Sequence, residues 1–330
     1  MLELFGRGTL LEQTAARIRS LIPPERTYVF TNLLVRDEVV RCLPGIPRSQ
    51  IVAEPAARNT APTIGLAAHE ILRRDPKGLM VVLPADHVIR KPGAFRQVLR
   101  AACRFASVEG RSVTIGLKPT RPETGYGYVR VGPRVTRLDG QQIFKVAKFT
   151  EKPRPQVATR YVASGRYLWN GGMFVWLAST AVHNFERFQP RMAKGLERIA
   201  SAGGLGSGLA LGRLFPRLES ISIDYALMEK ISNVFVVAAD MGWSDVGSWA
   251  VAYELNSKDR DRNVRPPRSL CLKSQGNLIV SPQKMVVAVG VHNLAIVESP
   301  DALLVCALDR SQDVGQAVRE LEQRGLKALL

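Results

Sequence analysis

Short apolar runs alternate with amphipathic stretches through the first two thirds of the chain. "TYVFTN" (27–32) and "SQIVAEP" (49–55) have the β-branched and aromatic content of strands, and "GLMVVLPAD" (78–86) is apolar enough for a strand buried on both faces. Between and after them, apolar positions recur at helical spacing over 36–41, about 61–74 and 93–109. An earlier helix carries Leu10, Leu11, Thr14 and Ile18 on one face, with Thr9 near its N-cap. Strands separated by amphipathic helices predict an α/β architecture, a mainly parallel sheet covered on both faces. Ligands of such sheets gather beyond the carboxyl ends of the strands, so the polar residues there are the first candidates for chemistry.

From about residue 256 the texture changes. "SKDRDRNVRPPRS" is charged, proline-bearing and poor in apolar residues, as a connection between domains would be. Short β-like runs follow closely on one another ("NLIV", "KMVVAVG", "NLAIVES", "DALLVC") and predict a compact all-β piece. A last helix over about 311–324 carries Val314, Ala317, Val318 and Leu321 on one face and stops at Gly325. "SAGGLGSGLALG" (201–212) reads as a flexible loop, and no strand leads into it to make it a nucleotide loop. Gly6 and Gly8 of "LELFGRGTLLEQT" lack a full preceding strand as well, and read as an ordinary loop.

At 330 residues and 46% hydrophobic the chain can bury a sizeable core. No apolar run approaches a membrane span, and the start lacks a basic segment and an apolar segment of signal type, so no membrane partner and a cytoplasmic location are expected. The net charge of +17 admits nucleic acid or anionic small molecules. Arg17, Arg73, Arg100, Arg160, Arg217 and Arg265 are spread along the chain and no nucleic-acid motif accompanies them, which argues against nucleic acid. Cys42, Cys103, Cys271 and Cys306 have neither metal-type nor redox spacing and are expected to be free thiols.

Candidate chemistry concentrates in a few stretches. In "VVLPADH", Asp86 stands past a very apolar strand, where it either caps a helix or binds a metal. In "VFVVAADMGWSDVGSW" a strand delivers Asp240 and Asp245, with Gly242 and Gly247 allowing close backbone approach. Mg²⁺ commonly takes one or two protein carboxylates and fills its other positions with water and phosphate oxygens, so two aspartates from remote strand ends could hold it. "TGYGYV" places Gly125 and Gly127 around Tyr126, either for a ligand lying on backbone or for a plain hairpin. "FTEKP" pairs Glu151, an acceptor for sugar hydroxyls, with Lys152, a compact charge for a phosphate. "WNGGMFVW" offers the Asn170 amide and the bare backbone of Gly171 and Gly172 beside aromatic bulk.

Taken in order, "EPAARNTAPTIGLAA", "LPADH", "TGYGYV", "FTEKP", "WNGGMF", "SIDYALMEK" and "DMGWSDVGSW" resemble the bacterial mannose-1-phosphate guanylyltransferases, or GDP-mannose pyrophosphorylases. The tail "ESPDALLVCALDRSQDVGQAVRELEQRG" is similar to the end of the monofunctional members. The resemblance implies a Rossmann-like nucleotidyltransferase domain over 1–255. Over 256–330 it implies a small C-terminal domain, like a left-handed β-helix, that ends in a helix and serves dimer contacts. It implies transfer from GTP to mannose 1-phosphate, giving GDP-mannose and pyrophosphate. On this resemblance Asp86 and Asp245 would hold Mg²⁺, and Lys152 would meet the sugar phosphate. Glu54, Asn59 and Thr60 would line the nucleotide end; Gly125, Tyr126 and Gly127 would frame the sugar nucleotide; Glu151, Asn170 and Gly171 would hold mannose hydroxyls. His87 would be a packing residue, because the attacking phosphate is already ionised. A homodimer is expected.

One departure stands out. Members of the family begin with a glycine-rich segment like G-G-x-G-T-R-L, followed by a lysine-bearing one, and both come before the part that "LELFGRGTLLEQT" resembles. The expectations are therefore an upstream segment to be restored and little turnover by the 330 residues alone. The alternatives are a nucleotide-sugar binding or regulatory homologue without turnover, or a pyrophosphorylase for another sugar phosphate or nucleotide.

Overall fold

A computed structural model describes residue 5 and residues 8–326; Gly6 lies outside the described residues. The chain forms two compact units. One comprises 11–85 and 89–243, and the other comprises 86–88 and 244–326 with the described residues before 11.

In the larger unit β1 (Val29–Asn32) and β2 (Ile51–Glu54) form a parallel pair. The main sheet uses β3 (Leu79–Val82), β5 (Ser112–Leu117), β6 (Tyr128–Leu138), β7 (Gln141–Thr150), β8 (Tyr167–Leu177) and β9 (Val234–Ala239), in the order β3-β8-β5-β9-β7-β6. A short ladder joins β4 (Val88–Ile89) to β10 (Trp243–Ser244). Strands β5 and β9 are parallel, and β3 shares their direction because β8 lies antiparallel to both β3 and β5. The β6–β7 hairpin closes through Asp139 and Gly140, both at positive φ, the turn geometry that an Asp-Gly pair favours.

Both faces of the sheet are covered, and β8 shows it residue by residue. Phe174 and Trp176 belong to a core shared with Ile64 and Leu66 of the helix Thr60–Arg74, Phe185 of Ala178–Phe188 and Leu196 of Pro190–Ser201. Met173 and Val175, pointing the other way, belong to a core with Phe95, Leu99 and Phe105 of the helix Pro92–Ala106. The strand period of two thus divides one run, "MFVW", between two cores. The stretch 201–212 is more ordered than its glycines suggest: Ser207 accepts from the Ala210 N–H at 3.4 Å and opens a helix, Gly208–Leu214, whose Leu211 is buried.

The smaller unit is built by parallel stacking. Strand β11 (Ser269–Leu272) pairs with β13 (Val286–Val289), and β12 (Leu278–Val280) with β14 (Leu294–Glu298), all in parallel; β15 (Leu303–Ala307) closes antiparallel on β14. A buried asparagine ladder runs through the stack. Asn263 Oδ1 accepts from the Asn277 N–H at 3.0 Å, and Asn277 Oδ1 accepts from the Leu294 N–H at 2.9 Å, over sequence steps of 14 and 17 residues. Each coil hands its amide to the next, which is how a β-helix satisfies backbone groups at its corners. The terminal helix, Val314–Gln323, leaves Ala317 and Val318 exposed.

Candidate active site

In the larger unit a buried polar cluster forms where β7 ends. Glu151 and Lys152 follow Thr150 directly, with Lys152 at φ +45° and a helix, Pro155–Ser164, starting just beyond. The Glu151 N–H donates to Glu229 Oε1 at 2.9 Å, and Lys152 Nζ stands 3.2 Å from Glu151 Oε1. The other oxygen, Glu151 Oε2, is buried with no hydrogen-bond partner. It faces Gly127. A methyl group on Gly127 would collide with Glu151 Oε2 and come within 3.2 Å of Asn170 Cβ.

Asn170 lies on the same patch. Its N–H donates to the Gly127 carbonyl at 2.8 Å, and its Nδ2 donates to Asp224 Oδ1 at 2.9 Å. Its Oδ1 accepts from the Thr114 hydroxyl at 2.9 Å and the Gly172 N–H at 3.3 Å. Gly127, Glu151, Lys152 and Asn170, four of the residues singled out in the sequence, therefore meet in one place, with Asp224, Glu229 and Thr114 added to them. Gly171 has a different reason to be glycine. A Cβ there would lie 3.0 Å from the Ile115 carbonyl and 2.9 Å from Met173 Cε, so strand packing requires its absence.

Burial pushes the Glu151 carboxyl up to about 7; Asp224, and more weakly Glu229, act in the same direction, and Lys152 opposes them. Burial also raises Asp224. A carboxyl raised on folding adds stability below its unfolded value of 4.5, and that stability is lost as pH climbs through about 7. Glu151→Gln keeps the shape without the charge. Its advantage over the native chain in urea unfolding should widen by about 3 kcal/mol between pH 4 and pH 8. A difference independent of pH would contradict the buried-carboxylate account.

The "TGYGYV" loop is folded by Glu123, whose carboxylate accepts from the Thr124 and Gly125 N–H groups at 3.0 and 3.2 Å. Its Tyr126 ring stands edge-on to Trp169 and Trp243, at centroid distances of 5.1 and 5.5 Å. At the end of β2, Glu54 accepts from the Thr63 hydroxyl, and burial raises its carboxyl. Asn59, at φ +62°, caps the helix Thr60–Arg74 by accepting from the Thr60 N–H at 2.9 Å. The Thr60 hydroxyl accepts from the Ile223 N–H at 2.8 Å. The Thr60 hydroxyl and the Ala61 N–H, the latter donating to the Ile221 carbonyl, thus anchor the segment that leads into Asp224.

Asp86 and Asp245 belong to the smaller unit. The Arg90 and Lys91 N–H groups donate to the Gly242 and Met241 carbonyls, so β4 and β10 run antiparallel; Asp86 stands just before β4 and Asp245 just after β10. Asp86 is exposed and caps no helix, because the next helix begins at Pro92 with Lys91 as its cap residue. Asp245 Oδ1 accepts from the Gly247 N–H at 3.4 Å, and between them Val246 is held at φ +52°, a costly conformation for a β-branched residue. Asp240 is committed elsewhere, to Lys91 at 3.0 Å. Among the described residues no group of three or more His, Cys, Asp or Glu side chains could hold a metal ion. The Asp86 and Asp245 carboxylates nonetheless have the hard-oxygen character that suits Mg²⁺, with phosphate and water completing its shell.

Sequence reasoning quoted "SIDYALMEK" but gave Asp224 no role. Its signal is an acid directly after the buried Ile223 and before the buried Ala226; the π-helical turn Asp224–Met228, of a kind frequent at functional sites, hides it from a 3.6-residue period.

The sheet, covered on both faces, collects acids and amides at its strand ends. The nucleotidyl transferase family matches residues 24–262, and the MannoseP isomerase/GMP-like beta-helix domain matches residues 268–321. Mannose-1-phosphate guanylyltransferases of Escherichia coli and Klebsiella pneumoniae are 39% and 38% identical to the chain over 98% of its length and 69% of theirs. A crystal structure described as a mannose-1-phosphate geranyltransferase from Thermus thermophilus superposes with a TM-score of 0.82 at 34% identity, covering 95% of this chain and 89% of that one. The chain belongs to the mannose-1-phosphate guanylyltransferase family. Among the described residues no helix is long and apolar enough to cross a membrane.

Proposed function

We propose that the chain transfers the guanylyl group of GTP to mannose 1-phosphate. A phosphate oxygen of the sugar phosphate attacks the α-phosphorus, a new O–P bond forms in line, and the bond to the β-phosphate breaks, releasing pyrophosphate. Such transfer depends on positioning and on neutralising charge. The observation that carries this reading in the chain itself is the buried Glu151 oxygen left without a partner beside Lys152 and Asn170. It fits a sugar hydroxyl, with the Lys152 ammonium available to the phosphate. Glu54, Asn59 and Thr60 line the nucleotide end, directly or by holding it in place, and Gly125, Tyr126 and Gly127 frame the sugar nucleotide. Gly171 serves the sugar subsite by letting β8 pack closely. Asp86 and Asp245 would hold Mg²⁺, which when bound offsets the charge of the triphosphate and of the departing pyrophosphate. The assay is GDP-mannose formation, with glucose 1-phosphate and UTP as controls. GTP and a sugar phosphate as substrates support a cytoplasmic location, which cell fractionation checks.

Residues 1–255 carry this chemistry in our reading, and 256–330 carry assembly. Leu270 and Leu272 on β11 lie in register with Val287 and Val289 on β13, and the four are 42–61% exposed. An alternating apolar face of this kind suits a second copy of the chain across a two-fold axis. Light scattering should show a dimer, and Leu272→Glu with Val289→Glu should give a monomer; a monomeric native chain would reject the assignment.

A further inference from the structure

The hydrogen-bond arithmetic at Asn170 is unusually complete. The amide oxygen has two lone pairs, and both are taken, by Thr114 and Gly172. The amide nitrogen has two hydrogens, and one goes to Asp224. Thr114 is fully buried, and its one hydroxyl hydrogen is shared between Asn170 Oδ1 at 2.9 Å, the shorter contact, and the Met173 carbonyl at 3.2 Å, so this donor belongs to the sheet interior. What Asn170 has left to offer is a single N–H. A flip of the amide would set its oxygen against the Asp224 carboxylate and its NH₂ against the Gly172 N–H, two repulsions at once.

Asp224 is itself fixed from two directions. Ile223 before it is tied to the Thr60 hydroxyl, and the π-helical turn begins at Asp224. Facing Glu151 are Asp224, Glu229 and Lys152. Glu151 and Asn170 meet at Gly127, and the carboxyl oxygen there has no partner.

We propose that Asp224 is a positioning residue of the sugar subsite: together with Thr114 it locks the Asn170 amide so that the ligand meets an N–H and not a carbonyl, and its carboxylate faces Glu151. The subsite then presents one fixed donor beside one carboxyl that exchanges its proton near neutral pH. This matches a sugar hydroxyl that accepts from Asn170 and exchanges a hydrogen bond with Glu151. The inference rests on the mannose 1-phosphate reading above.

The test is calorimetric binding of mannose 1-phosphate between pH 5 and pH 9 by the native chain, Asp224→Asn, Thr114→Val and Thr114→Ser. The ligand's own phosphate titration is common to all four and cancels in comparison. Asp224→Asn, nearly isosteric, should weaken binding by about tenfold through loss of the charge-assisted bond, and should move the pH midpoint of binding downward because the negative charge beside Glu151 is gone. Thr114→Val should weaken binding by a similar factor without moving the midpoint, and Thr114→Ser should restore it. A merely structural Asp224 would lower the melting temperature and leave the midpoint where the native chain has it, which overturns the inference. Native binding with no change in either Asp224→Asn or Thr114→Val overturns it too, and leaves the substrate reading standing. A native chain that binds neither mannose 1-phosphate nor glucose 1-phosphate overturns both.

Discussion

Asp86→Ala and Asp245→Ala, each made in the form of the chain that turns over, should lower the rate of GDP-mannose formation by roughly 10²–10³ or more, the loss expected when a group that stabilises transition-state charge is removed. Neither change should unfold the protein. Asp86 is exposed and packs into no core, and Asp245 is only partly buried, its carboxylate receiving the Gly247 N–H within a tight turn. The melting temperature should therefore move little. Raising Mg²⁺ should recover part of the rate in either single variant, because one carboxylate remains. Near-native turnover in either variant, or a loss that added Mg²⁺ does not touch, would remove these residues from the metal site. Asp240→Ala is the matched control: its ion pair with Lys91 is on the surface, so a change within a few-fold is expected.

Gly127→Ala should weaken mannose 1-phosphate binding by about 10²-fold or more, since a displacement near an ångström at a positioning group is worth that much. Gly127 is not at positive φ, so the backbone itself accepts alanine. The added methyl meets the Glu151 carboxylate and the Asn170 side chain, and both must move to admit it. Gly125→Ala provides the contrast. A Cβ there has only Glu123 Oε1 within reach, at 3.5 Å, which is ordinary contact, and binding should change little. Equal effects from the two substitutions would show that the loop matters as a hinge and not as the wall of a sugar subsite. GTP binding should survive Gly127→Ala.

Much of the molecule could be read from one dimension. The strands at 29–32, 51–54 and 79–82 announce themselves by apolar content, and the helices Thr60–Arg74 and Pro92–Ala106 by a period near 3.6. The β6–β7 hairpin went unpredicted: Asp139-Gly140 is a turn signal, but the polar strand faces on either side gave no apolar alternation to point at it. So did the antiparallel insertion of β8. "WNGGMFVW" looks like a loop because of its glycines, yet Gly171 is there to let β5 approach, and the aromatic residues are divided between two cores.

The candidate site shows the same division. Glu151, Lys152 and Asn170 stand in motifs where polar groups interrupt apolar runs, so composition exposes them. Asp224 and Thr114 act through other side chains across 54 and 56 residues of sequence, a pairing that only the folded sheet creates. Asn59, expected at the nucleotide end, is also the cap of its helix, at φ +62°, a contact that only the folded chain displays.

The most direct measurement supplies GTP, mannose 1-phosphate and Mg²⁺ to the 330-residue chain and to the chain extended by any in-frame codons upstream of Met1, and follows GDP-mannose and pyrophosphate together. Equimolar appearance of the two products from at least one of the two lengths, faster with mannose 1-phosphate and GTP than with glucose 1-phosphate or UTP, is the expected result. Binding of nucleotide and sugar phosphate with no product from either length of chain would contradict it.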